Sequence, residues 1–228
     1  MAKRMTFTLA ALLLVALSCA GCLVKEKHDT LCLEPDGSVR WTVVERNIHA
    51  VADTPADRLR EEAEFMALAG RDEHDAAVAF RALGGTAIRT QILSADWPFA
   101  ISTEARFDDL GRLWQRYFDL AGMRATSALV RSGNRTTWTL VVDMDQTTEK
   151  TDEEGHDSLE SIMEDDFAPI FMIRHGEFVD GAGFTFDDDG RVAKLDTDAL
   201  SKRDWEKEPR LVLSLSWVDV EAVKAPKR

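Results

Sequence analysis

The chain has 228 residues, with 41 acidic side chains against 28 basic ones and a formal net charge of −13. That balance argues against binding nucleic acid, whose phosphates demand a basic face, and against docking on anionic lipid by charge alone. Six tryptophans and eleven phenylalanines, in a composition that is 45% hydrophobic, suffice for a substantial core.

Lys3 and Arg4 give the chain a positive start, and residues 6–18 are almost wholly apolar. The run is shorter than the roughly 20 residues that cross a bilayer. It fits the core of a secretory signal peptide, read here as residues 1–21. Ala20-Gly21-Cys22 resembles the end of a bacterial lipobox, in which a Leu, a small residue and then Gly or Ala precede the acylated Cys. Cys19 stands where Leu is commonest; taking Cys19 itself as the acceptor puts Ala16, Leu17 and Ser18 before it, a poorer fit. The resemblance implies an S-diacylglycerol and an N-acyl chain on Cys22, holding the mature chain to a membrane. Two or more acyl chains anchor stably where one does not. Leu23, rather than Asp, follows the acceptor. In a Gram-negative cell that resembles lipoproteins sorted to the outer membrane, facing the periplasm. Loss of residues 1–21 removes two bases and no acid, taking the charge to −15. Cys32 is then the one thiol beside the acylated Cys22, so no internal disulfide forms. Between Leu31 and Leu33 it reads as a buried, inert thiol.

Residues 22–29 read as a lipidated tether and 30–228 as a single α+β domain. Residues 30–34 and 38–48 read as a hairpin joined by Pro35-Asp36-Gly37, with Val39, Trp41 and Val43 on the inner face. Thr54-Pro55-Ala56-Asp57 opens a helix with the stripe Leu59, Ala63, Met66 and Ala67. Gly70 ends it. Asp72 and Asp75 start a second helix with the stripe Ala76, Ala79, Phe80 and Leu83, stopped by Gly84-Gly85. Two strands follow, the clearer with Phe99, Ile101, Thr103, Ala105 and Phe107 on one face. Asp108 is the expected cap of a third helix that turns Leu110, Leu113, Trp114, Tyr117 and Phe118 inward. Residues 125–131 and 135–143 make a hairpin across Ser132-Gly133-Asn134, and 184–186 with 191–195 make another around Asp188-Asp189-Gly190. Leu211, Leu213, Leu215 and Trp217 form the inner face of a last strand. Short loops between strands imply antiparallel pairing. The expected fold is therefore a curved antiparallel sheet built from hairpins, with about four helices on one face.

Residues 143–166 carry eleven acidic side chains against Lys150 alone. Hard cations such as Ca²⁺ prefer carboxylate oxygen. The stretch from Asp143 nevertheless has Thr148 where an EF-hand loop requires Gly, so a solvated loop is the reading taken. Asp187-Asp188-Asp189-Gly190 reads as a turn, and Gly181-Ala182-Gly183 lacks the rest of a dinucleotide fingerprint. His28, His49, His74, His156 and His175 show no metalloprotease spacing. His74, among Asp72, Glu73 and Asp75, reads as the surface of a helix start. Neither a GxSxG elbow nor an SxxK motif with its partners is present. No catalytic, metal or cofactor residue is assigned. Trp41, Phe99, Phe107, Trp114, Trp138 and Trp217 read as core, or as the lining of an apolar ligand pocket.

Cys22 followed by Leu31-Cys32-Leu33-Glu34-Pro35-Asp36-Gly37-Ser38-Val39 resembles the opening of LppM-like lipoproteins of bacterial envelopes. The resemblance covers about 25 residues and carries over no functional residue. The expected function is a membrane-anchored envelope lipoprotein with a non-enzymatic binding or structural domain. Its expected partners are the membrane, through the lipid, and an envelope protein or hydrophobic ligand. Two alternatives stand beside it: a carrier or sensor of a lipid-like molecule, and a hydrolase with an unrecognised site.

Overall fold

The computed structural model describes residues 23–143, 169–203 and 209–219. The expected signal peptide, Cys22, His156 and all of the acidic segment but Asp143 lie outside these residues. The described chain is α+β. Its elements are β1 (Leu23–Leu33), β2 (Val39–Ala50), α1 (Pro55–Ala69), α2 (Asp75–Ala82), β3 (Thr86–Ser94), β4 (Phe99–Phe107) and α3 (Leu110–Leu120). There follow β5 (Arg124–Ser132), β6 (Arg135–Asp143), β7 (Ile170–Ile173), β8 (Gly176–Ala182), β9 (Phe184–Phe186), β10 (Val192–Leu195), α4 (Thr197–Ser201) and β11 (Arg210–Asp219). Residues 23–29, expected as a tether, are the first part of β1.

The strands form a seven-stranded sheet in the order β3-β4-β2-β1-β7-β10-β9 and a four-stranded sheet in the order β5-β6-β11-β8. The pairs β7–β10, β9–β10, β5–β6, β6–β11 and β8–β11 are antiparallel. β1 and β7 are parallel, with Thr30 opposite Ile170 and Leu33 opposite Ile173. Hairpin spacing speaks only to sequence neighbours, so this pair had no local signal. The described chain divides into two compact units. β1, β2 and β4, of 11, 12 and 9 residues, each contribute to both.

Unit 1 comprises Val43–Ala82, Ala87–Glu104 and, of the described residues, 23–28. Thr54 caps α1, its hydroxyl accepting from the Asp57 N–H at 3.1 Å, with Pro55 at the first helical position. The inner stripe differs from the one expected. Leu59 is 68% exposed, and Ala63 and Ala67 are exposed too. Phe65 and Ala69 are buried instead, packed with Ile48 and Ile101, and Met66, Leu23 and Phe99 border that cluster. Burial of the large Phe65 ring outweighs that of Leu59 and two alanines. Glu62 turns inward as well and accepts the Ala50 N–H at 3.1 Å. In α2, Ala77 and Phe80 are buried while Ala79 is exposed. β2 buries alternate residues Val43 and Glu45, then changes phase to bury Ile48 and Ala50. The change falls at Asn47, whose φ of 52° lies in the left-handed region that Asn tolerates.

Unit 2 comprises Asp29–Thr42, Leu83–Thr86 and the chain from Ala105 onward. The β1–β2 turn is the expected one: Gly37 has φ +88°, and Asp36 Oδ1 accepts from the Ser38 amide at 3.0 Å and hydroxyl at 2.6 Å. Asp109, not Asp108, caps α3, its Oδ1 accepting from the Arg112 N–H at 2.8 Å. Leu110, Leu113, Trp114 and Phe118 point inward as expected, and Tyr117 is half-buried. β11 lies between β6 and β8 and buries Leu211, Leu213, Leu215 and Trp217. Gly181 allows β8 to approach it closely: a Cβ there would stand 2.8 Å from the Ser214 carbonyl oxygen and 2.9 Å from the Phe186 ring. Asp187 Oδ1 accepts from the Arg191 and Val192 amides, so the acidic 187–190 segment is a hairpin turn.

Candidate functional site

A set of inward-facing polar groups in unit 1 joins three strands and the residue before α2. Glu45 occupies an inward position of β2, continuing the alternation of Val39, Trp41 and Val43. Thr103 occupies an inward position of β4 between Ile101 and Ala105. Lys25 comes from β1. His74 stands immediately before α2, its carbonyl accepting from the Val78 N–H at 3.0 Å. The side chains of Glu45 and His74 are each 1% exposed.

Lys25 Nζ donates to Glu45 Oε1 at 2.6 Å and lies 3.6 Å from Asp75 Oδ2. It also sits over the Phe65 ring, 5.6 Å from the centroid. Burial works to lower the Lys25 pKa. The charge and hydrogen bond of Glu45, joined by Asp75, outweigh it, and the pKa is raised. Lys25 is therefore a fixed cation that neutralises Glu45. His74 Nε2 lies 2.8 Å from Thr103 Oγ1 and 3.8 Å from Glu45 Oε2, and Phe65 meets the imidazole edge-on at 5.9 Å. Burial pushes the His74 pKa down, against the pull of the Glu45 carboxylate and with the help of Lys25. Among the described residues, His74 Nδ1 and Glu45 Oε2 have no hydrogen-bond partner.

Thr103, His74 and Glu45 together suggest a nucleophile, a base and an orienting acid. The geometry is wrong for that chemistry. A triad places the acid on one ring nitrogen and the hydroxyl on the other. Here Thr103 and Glu45 both face Nε2. Thr103 is also fully buried, so its hydroxyl has no approach for a substrate. What the cluster can do is hold a neutral imidazole beside a carboxylate already paired to a lysine, and exchange a proton when that packing opens. Among the described residues no three His, Cys, Asp or Glu side chains converge as a metal site.

The sequence placed His74 on the surface, and the structure buries it. Its acidic neighbours Glu73 and Asp75 do face solvent, while the imidazole turns the opposite way into the apolar space beside Phe65. Glu45 carries a signal in the sequence, as a carboxylate on the core register of an alternating strand. His28 is exposed, while His49 and His175 are half-buried. Cys32 is buried as expected.

In unit 2, aromatic side chains surround an apolar cavity. Trp114, Phe118, Trp138, Phe171 and Phe184 line it together with Leu211 and Leu213. The rings tile one another: Trp114 and Trp138 have centroids 6.2 Å apart, and Phe171 meets Phe184 edge-on at 5.4 Å. The cavity offers about 30 Å³ to the centre of a water-sized sphere. That is room for a water molecule or two, against the roughly 300–1,000 Å³ of small-molecule pockets. Of the six aromatics read as core or pocket, Trp114 and Trp138 line this space. Trp41, Phe107 and Trp217 are buried elsewhere in unit 2, with the Trp41 Nε1–H donating to the Asp29 carboxylate at 2.7 Å. Phe99 borders the unit 1 cluster.

No protein-family model matches the chain, and no curated protein matches it. A solved structure that does is the NMR structure of the folded domain of the LppM protein of Mycobacterium tuberculosis. It is 12% identical, with a TM-score of 0.34 over 86% of this chain and 90% of that one. A score of that size fixes neither a shared fold nor a shared function.

Proposed function

We propose that this protein is a bacterial envelope lipoprotein, anchored through acylated Cys22, whose folded part serves as a non-enzymatic binding or structural module. The observation that carries the reading is the sequence around the acceptor: a basic start, a short apolar run and Ala20-Gly21-Cys22. β1 begins at Leu23, so the lipid sits one residue from a strand that runs through both units. Such a link orients a domain at the membrane far more tightly than a flexible tether does. Thr103, His74 and Glu45 are not arranged for acyl transfer, so that cluster lends nothing to the hydrolase alternative. The aromatic cavity is smaller than small-molecule pockets usually are, which weighs against a lipid stored there.

Intact-mass measurement and membrane fractionation test the anchor. The wild-type protein is expected to carry the added mass of a diacylglycerol and an acyl chain and to partition with membranes. Cys22→Ala is expected to lose that mass. A Cys22→Ala protein that keeps the lipid mass refutes acylation at this residue. Turnover of any member of an ester, phosphate or glycoside panel by the purified protein refutes the non-enzymatic reading.

A further inference from the structure

Trp41, Trp114, Trp138 and Trp217 are buried, whereas Trp97 is 69% exposed. It occupies the tip that joins β3 to β4, within Ala95-Asp96-Trp97-Pro98. Ile92 and Leu93, at the end of β3, are exposed beside it in the chain. Val24, at the start of β1, and Val51, just past the end of β2, are exposed as well. An isolated exposed apolar residue needs no explanation, but a set gathered at one end of a fold does.

The packing of unit 1 shows that this is one end. Leu23 and Phe99 border the same cluster that buries Ile48. Trp97 is two residues from Phe99, Val51 three from Ile48, and Val24 adjoins Leu23. At about 3.3 Å per residue, Trp97, Val51 and Val24 each start within roughly 10 Å of a residue in that cluster or bordering it. Cys22 is covalently bonded to Leu23, about 3.8 Å away from Cα to Cα. Trp97 therefore stands at the end of unit 1 that holds Leu23, the residue bonded to Cys22.

We infer that this apolar rim, with Trp97 at its tip, inserts into the interface of the bilayer that holds the Cys22 lipid. The inference rests on the acylation proposed for Cys22. The occupant follows from that position, because the acylated glycerol lies at the level of the headgroups and the next residue cannot stand far from it. The chemistry of the tip suits the place. Tryptophan concentrates at membrane interfaces, where its ring meets acyl chains and its N–H meets water. Interfacial elements bury their apolar side by about 5–10 Å, within reach of a hairpin tip. Insertion here needs no basic surface, consistent with the acidity of the whole chain. Lipid and rim together make two attachments, so the domain is held in one orientation rather than swinging from its anchor.

The test uses the full-length protein, processed in an exporting bacterial host and reconstituted into phosphatidylcholine vesicles. Trp97→Cys carries an environment-sensitive nitrobenzoxadiazole label, attached under native conditions in which Cys32 stays buried. Leu93→Cys provides a second labelling position should the first impair folding. Asn134→Cys, in the exposed β5–β6 turn, is the reference. Labels at 97 and 93 are expected to emit at shorter wavelength on vesicles and to lose intensity with brominated lipid, while the label at 134 does neither. An acylated protein whose label at 97 behaves like that at 134 overturns the inference and leaves the anchor standing. A blue shift that brominated lipid does not quench marks burial against protein and also overturns it. A protein without the added acyl mass overturns the anchor reading and this inference with it.

Discussion

Acid should selectively weaken unit 1 through His74. The imidazole is 1% exposed, and burial is the chief cause of its lowered pKa. Glu45, Asp72 and Asp75 favour its protonation and Lys25 opposes it; Thr103 and Phe65, which also face the ring, carry no charge. The unfolded chain titrates its histidines near about pH 6.5. Below that pH the unfolded state binds a proton that the folded state refuses. The contribution of His74 is thus fully present above the unfolded pKa. It is lost as pH falls from there toward the lowered folded value. The slope is at most about 1.4 kcal/mol per pH unit for one group. Carboxylates titrate in the same direction at lower pH, so the comparison must isolate His74. His74→Gln keeps a polar group able to meet Thr103 Oγ1 and removes the titration. Urea unfolding of both proteins at pH 7.5, 6.5 and 5.5 gives the difference in stability at each pH. The wild type is expected to lose ground relative to His74→Gln as pH falls. A difference that stays constant, or moves the other way, would show that the folded protein binds the proton at least as readily as the unfolded chain does, and the assignment of a neutral buried imidazole would be wrong.

Glu45→Gln removes the nearer of the two carboxylates that face Lys25, leaving the longer contact to Asp75 as its ion pair; loss of one charge of a buried pair should cost about 3–5 kcal/mol, read from chemical unfolding. Restoring neutrality with Lys25→Met in the same chain should recover most of that loss, and a double variant no better than the single one contradicts the account. Gly181→Ala forces a methyl against the Ser214 carbonyl and the Phe186 ring, and the midpoint of unfolding should fall by an amount equivalent to about 1–3 kcal/mol.

Much of the secondary structure was legible because its signals are local. The Thr54-Pro55 cap, the Asp36-Gly37 turn, the 132–135 hairpin and the alternation of β11 each depend on a handful of neighbouring residues, and each is present. The α1 stripe was not legible. Its apolar residues permit two faces, and the choice between Leu59 and Phe65 is made by Ile48 and Ile101, which are distant in sequence. The β1–β7 pair was hidden for the same reason. The cluster was half visible. Glu45 betrays itself by its register, but the burial of His74 depends on packing from Phe65 and Thr103, and the acidic flank of His74 points to solvent. The rim around Trp97 had no periodic signature, since exposure at a hairpin tip is a property of the assembled sheet.

The position of β11 bears on how this protein is made. The last described strand of the chain lies in the middle of the four-stranded sheet, bonded to β6 on one side and β8 on the other. Any product that stops short of Arg210 has the flanking strands and nothing to join them, leaving two open edges and the apolar faces that Leu211, Leu213 and Leu215 cover. Because β11 follows every other described strand, the four-stranded sheet of unit 2 cannot close until the chain has been made through that strand. Chains cut short before β11 therefore present unpaired strand edges that invite pairing with other chains and attack by proteases.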